Sequence, residues 1–138
     1  MGIDYGDRRV GVALSDPERR LATPLCTLAH RGWGPTAIAV IGLMREHGAE
    51  YAVVGLPRDM DGSLGAQAEE TLGFCGALEK RGVKVLTQDE RLSSVEAEEM
   101  LLDGGAGAEA RRRKVDQAAA AVILQRHLDA LRVQSSGQ

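Results

Sequence analysis

Apolar positions change their period along this chain, and the changes mark out its elements. Residues 2–5, 9–14 and 22–28 are short runs of alternating or β-favouring residues, broken by Asp7 and then by Asp16-Pro17. Three such runs so close together predict an antiparallel meander. From Thr36 to His47 the period lengthens, with Ile38, Ile41, Leu43 and Met44 at helical spacing and Gly48 as a stop. Tyr51-Ala52-Val53-Val54-Gly55-Leu56 is a continuous apolar run closed by Pro57, the pattern of a strand covered on both faces.

Residues 57–63 read as a loop, with Ser63 placed to cap a second helix over 65–81 that stops at Gly82. Val83-Lys84-Val85-Leu86 is a second buried strand. Ser93-x-x-Glu96 is a capping box opening a helix that ends near Gly104-Gly105, and 104–110 reads as a mobile loop. The last helix is expected from Val115 to Leu131, with residues 133–138 a disordered tail after a single domain over 1–132. The order β-β-β-α-β-α-β-α-α describes an α/β fold, a mixed five-stranded sheet with helices on both faces. Right-handed crossovers place the strands that follow helices on the far side of strand one, giving the order 3-2-1-4-5. Strand one is then central.

Composition narrows the chemistry. The 138 residues suffice for one packed core. A formal charge of −3 and a pI near 5.6 argue against coating nucleic acid through bulk positive charge. Basic residues nevertheless cluster at Arg8-Arg9, Arg19-Arg20 and Arg111-Arg112-Arg113-Lys114, so a nucleic-acid contact would be local. Cys26 and Cys75 form no metal-binding or redox pair, and no apolar stretch approaches a membrane span. These features predict a cytoplasmic protein with no membrane partner.

Against that background Asp4 stands out. It lies inside Gly2-Ile3-Asp4-Tyr5-Gly6, a short strand predicted at the centre of the sheet, where a carboxylate is costly unless a cation sits beside it. A divalent metal ion explains the placement; a turn-bonding Asp is the bland alternative. Glu90 follows the apolar run at 83–86, and Asp116 opens the alanine-rich last helix. Glu90 has a plain alternative as an ion-pair partner of Arg91 or Arg8, and Asp116 as a first-turn acid. Three carboxylates at the ends of three elements form a candidate ligand set. The run Arg111-Arg112-Arg113-Lys114 precedes the same helix, where cations oppose the helix dipole and a nearby polyanion would justify them. Arg8, Arg9 and Arg91 are weaker candidates of that kind. Met60-Asp61-Gly62-Ser63 leads into a helix and offers backbone N–H groups to a phosphate, unless it is an ordinary capped turn. With aromatic residues at 3%, recognition would rest on backbone and shape rather than base stacking.

The motifs Gly-Ile-Asp-Tyr-Gly at 2–6, Arg-Val-Gly-Val-Ala-Leu-Ser-Asp at 9–16, Val-Gly-Leu-Pro at 54–57, Met-Asp-Gly-Ser at 60–63, Asp-Glu-Arg-Leu-Ser-Ser at 89–94 and Lys-x-Asp-x-Ala-Ala-Ala at 114–120 occur in series. In that order and spacing the chain resembles the bacterial YqgF/RuvX family. The resemblance implies an RNase H-like fold and a nuclease, described in the family as processing the 5′ end of precursor 16S ribosomal RNA and as similar to Holliday-junction resolvases. It also implies that Asp4, Glu90 and Asp116 are the catalytic, metal-binding acids. Resolvases of the RuvC type usually carry a further Asp one turn along the last helix, a position held here by Ala119.

On that reading Mg²⁺ or Mn²⁺ is the cofactor, with Asp4 expected to bridge two ions and Glu90 and Asp116 each to hold one. Ser63 and the basic residues Arg8, Arg9, Arg91, Arg111, Arg112, Arg113 and Lys114 are the expected nucleic-acid contacts. Structured RNA is the expected partner and branched DNA the alternative; cutting a junction symmetrically would require a homodimer. Two further readings stand beside these: an actin-like ATPase module, suggested by Asp4-Tyr5-Gly6 and the following hairpin, and a catalytically silent binding module.

Overall fold

The computed structural model describes residues 1–57, 64–89 and 107–136. Strands β1 (Gly2–Tyr5), β2 (Arg9–Ser15) and β3 (Ala22–Ala29) lead into helix α1 (Trp33–His47). Strand β4 (Ala52–Leu56), helix α2 (Ala66–Glu79), strand β5 (Val85–Asp89) and helix α3 (Ala108–Ser136) complete the described elements. The strands form one sheet in the order β3-β2-β1-β4-β5, as the crossover rule predicts. β1 runs antiparallel to β2 and parallel to β4, and β4 is parallel to β5, so β1 is central.

The two faces of β1 and β2 differ in side-chain size, and that difference sorts the helices. Ile3, Tyr5, Val10 and Val12 project to one face and are buried with Val40 and Met44 of α1 and Phe74, Cys75 and Leu78 of α2. The other face presents small residues. Gly2 pairs with Ala13 and Asp4 with Gly11, and here α3 lies directly on the sheet. Ile123, Leu124 and Leu128 of α3 are buried against Ala13 and Val53, each contributing about 1.5–3 kcal/mol. Opposite, the Tyr5 ring stacks on Phe74 at 4.4 Å between centroids, and its hydroxyl is hydrogen-bonded to Nε2 of His30.

Element boundaries differ from the sequence pattern where packing or side-chain bonds act. α1 starts at Trp33 rather than Thr36, because Gly32 turns the chain at φ 95° and the Thr36 hydroxyl accepts the Arg31 N–H at 3.0 Å. Its C-terminal stop is the expected one, with Gly48 at φ 69°. α2 is entered through Gly65, which has no side chain to cap it; Ser63, the expected cap, lies outside the described residues. β5 runs over 85–89 rather than 83–86: it is at the sheet edge, where Thr87, Gln88 and Asp89 can pair with β4 without a buried face on each side. The helix expected after Ser93 lies outside the described residues.

α3 is longer at both ends than the expected 115–131. It begins at Ala108 and takes in the Arg111–Lys114 run, which the sequence places ahead of the helix. Ala, Glu, Arg and Lys are strong helix formers, and Thr27 on β3 donates to the Arg113 carbonyl at 2.7 Å, tying that turn to the sheet. At the other end the helix reaches Ser136, through most of the stretch expected as a tail. Asp129 accepts from Gln125 at 3.0 Å and from Arg132, side-chain pairs that support the last turns.

Burial and, secondarily, Glu79 push the Cys75 thiol up to about 11 from 9.0. The neutral thiol is therefore favoured in the folded state, and stability is full below the unfolded value and is lost as pH rises from about 9 to 11. Chemical denaturation across that window should show falling stability in the wild type and a shallower slope in Cys75→Ala, whatever its absolute stability. An unchanged slope would contradict the assignment.

Candidate active site

β1 is too short to bury much, yet its register fixes where Asp4 points. Ile3 and Tyr5 enter the core on the α1–α2 side, so alternation turns Asp4 to the face carrying α3. Its cross-strand partner is Gly11, at a Cα separation of about 4.5–5.5 Å for such a pair. A Cβ built on Gly11 would lie 1.9 Å from the Asp116 carbonyl oxygen and 2.3 Å from its carbonyl carbon. No other residue type fits there. Asp116 of α3 thus lies over Gly11, beside Asp4, on the same face and near the carboxyl end of β1. Gly2 repeats the contact further along, where a Cβ would stand 2.7 Å from the Ala120 carbonyl oxygen and from Leu124 Cβ.

Arg9 shares the face of Gly11, two residues earlier on β2. Its Nε donates to Asp116 Oδ2 at 2.7 Å, with the side chains 24% and 21% exposed. A charge-assisted bond at this burial contributes about 1–3 kcal/mol. The β1–β2 turn that brings Arg9 round is closed by the Gly6 N–H donating to the Arg9 carbonyl at 3.0 Å.

Two of the three expected ligands are therefore together: Asp4 and Asp116. Glu90 follows β5 in sequence and lies outside the described residues, as do Arg91 and Ser63. Among the described residues no three His, Cys, Asp or Glu side chains gather into a metal-binding group. The donor chemistry nonetheless fits a hard divalent cation. Two carboxylates share one half-buried face, and one of them already holds a cationic partner, the Arg9 guanidinium.

The expected nucleic-acid contacts divide. Arg8 is exposed at the β1–β2 turn, and Arg112, Arg113 and Lys114 are exposed on the first turns of α3, leading into Asp116. Arg111 is half-buried. Arg9 is engaged with Asp116, a role that sequence reading missed because its partner lies 107 residues away. Gly11 was also missed as a site residue. The signal for it is Val10-Gly11-Val12-Ala13, which alternates large and small residues where a packed strand would carry large ones on both faces. A cavity of about 410 Å³ lies at the other end of the sheet, lined by Leu14, Asp16, Arg19, Tyr51 and Leu128 among others, away from Asp4 and Asp116.

Comparison with known proteins bears on this arrangement. The family model described as RuvX, Holliday junction resolvase, matches residues 1–130. The chain belongs to the RuvX family. Relatives named "Putative pre-16S rRNA nuclease" include one from Moorella thermoacetica, 44% identical over 95% of this chain and 94% of its own length. Another, from an Anaeromyxobacter species, is 44% identical over 94% of this chain and 95% of its own. Among solved structures, Thermus thermophilus RuvC in complex with a Holliday junction substrate matches 94% of this chain and 92% of its own, with a TM-score of 0.58 at 16% identity. This RuvX-family chain therefore has the RuvC-like, RNase H-like fold, with the strand order its sequence predicts. It is a member of a nuclease family.

Gly11→Ala in this RuvX-family protein should force α3 off β2 and cost about 1–3 kcal/mol, read as a lowered urea midpoint. Gly76→Ala, at a helical position with open space around it, is the control and should not destabilise. Equal stability of Gly11→Ala and wild type would contradict the close approach.

Proposed function

We propose that this protein is a divalent-metal-dependent nuclease that trims precursor 16S rRNA, using Asp4, Glu90 and Asp116 to hold Mg²⁺ or Mn²⁺. The observation that carries the reading is the convergence of Asp4 and Asp116 across Gly11, in a chain some 40% identical to relatives named as nucleases for that RNA. When bound, the metal ions supply activation of a water and charge stabilisation of the departing oxygen. The protein's own groups do the rest. Asp4 on the central strand is the rigid ligand, since β1 is paired on both sides. Asp116 approaches from α3 at a separation set by Gly11. Glu90, next after β5 in sequence, is the third ligand. Arg8, Arg112, Arg113 and Lys114 take backbone phosphates and hold the strand along the sheet edge. The low aromatic content leaves recognition to backbone and shape.

The second reading is resolution of branched DNA, supported by the family description and by the likeness to a junction-bound RuvC. It requires a symmetric dimer, so that paired strands are cut together. Ala119 stands where RuvC-type resolvases carry a further Asp, which favours the RNA reading. The protein is proposed to act in the cytoplasm; among the described residues no helix is long and apolar enough to cross a membrane.

Labelled precursor-like RNA hairpins and four-way DNA junctions, each offered with Mn²⁺ or EDTA, test both readings. The RNA should be cut with Mn²⁺ only, and Asp4→Asn and Asp116→Asn should each lower the rate by at least about 100-fold. Preferred cutting of the junction would move the assignment to resolution. Cutting in EDTA, or undiminished cutting by both variants, would overturn the metal site; binding without cutting would favour a silent module, and nucleotide hydrolysis without cutting an ATPase.

The basic turn of α3 has its own test. Arg112→Ala with Arg113→Ala should weaken RNA binding and reduce the slope of log affinity against log salt by about 0.7–0.9 per lost phosphate contact. An unchanged slope would remove these residues from the interface.

A further inference from the structure

Asp116 does not wait as a bare carboxylate: Arg9 Nε donates to its Oδ2 at 2.7 Å, and both side chains are mostly but not wholly buried. Asp116 Oδ1 has no such partner among the described residues. A divalent ion held at this carboxylate would bring two positive charges against a guanidinium already in contact with it. The two cations compete for one group. Both members of the pair adjoin exposed cations in sequence: Arg8 precedes Arg9, and Arg112–Lys114 end two residues before Asp116. A phosphate drawn in by those cations is a better match than a single carboxylate oxygen for a planar group with five donors.

We propose that Arg9 is a stand-in cation and positioning residue, which occupies Asp116 in the free protein and transfers to a backbone phosphate when nucleic acid binds. This rests on Asp116 being a metal ligand. Nucleic acid and metal then bind with positive coupling, because the first removes the competitor of the second, and by linkage each raises the affinity of the other equally. The free protein holds the Asp116 carboxylate paired with Arg9 and its α3–β2 contact intact, and loads metal fully only where there is a strand to cut. Arg9 thereby contributes to discrimination without touching the reacting atoms.

Mn²⁺ binding to the protein alone, read from the electron paramagnetic resonance of free Mn²⁺, tests the proposal. Arg9→Gln should bind about tenfold tighter than wild type, Arg9→Lys within about twofold of wild type, and Asp116→Asn far more weakly. A purely structural Arg9 predicts the opposite for Arg9→Gln, since loosening α3 would weaken the site. If Arg9→Gln binds no tighter while Asp116→Asn loses binding, the stand-in role is wrong and the ligand assignment stands. If Asp116→Asn binds like wild type, both fail. The wild type supplies a second measurement that needs no variant to fold. In nitrogen-15 spectra the Arg9 Nε–H signal should move toward the position of a solvent-exposed guanidinium on saturation with Mg²⁺, and an unmoved signal at saturation would overturn the proposal.

Discussion

The arrangement depends on one contact, the backbone of α3 at Asp116 resting on the backbone of β2 at Gly11. A helix packed on a sheet is ordinarily held off by side chains from both. Here the face of β1 and β2 that carries Asp4 and Arg9 is otherwise small at Gly2, Gly11 and Ala13, and the helix offers Ala118, Ala119 and Ala120 before Ile123, Leu124 and Leu128 take over. The small residues at one end bring the helix close, and the large ones at the other end supply the burial that holds it there. Asp4 and Asp116 become neighbours because Gly11, the cross-strand partner of Asp4, has no side chain to hold α3 off the sheet.

Closeness of two carboxylates has an electrostatic cost, and Arg9 offsets part of it. The same ion pair fastens α3 to the first hairpin, and Thr27 fastens the preceding turn to β3 through the Arg113 carbonyl. On the proposed function, stability and chemistry draw on the same groups here. The basic turn of α3 is unfavourably placed for the helix dipole, and a bound polyanion is the partner that would reverse that sign. A net charge of −3 argues against polyanion binding through bulk positive charge.

Much of this was legible in the sequence, for identifiable reasons. Strand order followed from element order and crossover handedness, both local properties of the chain. Asp4 announced itself because an acid within a central strand has few explanations. What the sequence hid were pairings and boundaries set by other parts of the chain. The Arg9–Asp116 bond spans nearly the whole length, and neither residue carries a local mark of it. The start of α3 was misjudged because four consecutive cations look like a solvated loop, while Thr27 on a distant strand helps hold that turn helical. The end of β5 was missed because Thr87, Gln88 and Asp89 are polar, and an apolar run cannot mark a strand lying at the edge of the sheet.

The central claim is that Asp4 and Asp116 hold divalent metal together across Gly11. Anomalous scattering from crystals soaked in Mn²⁺ tests it most directly. A peak within about 2.0–2.4 Å of a carboxylate oxygen of each residue is the expected result. A fully occupied Mn²⁺ elsewhere on the molecule, with no density between these two side chains, would contradict it.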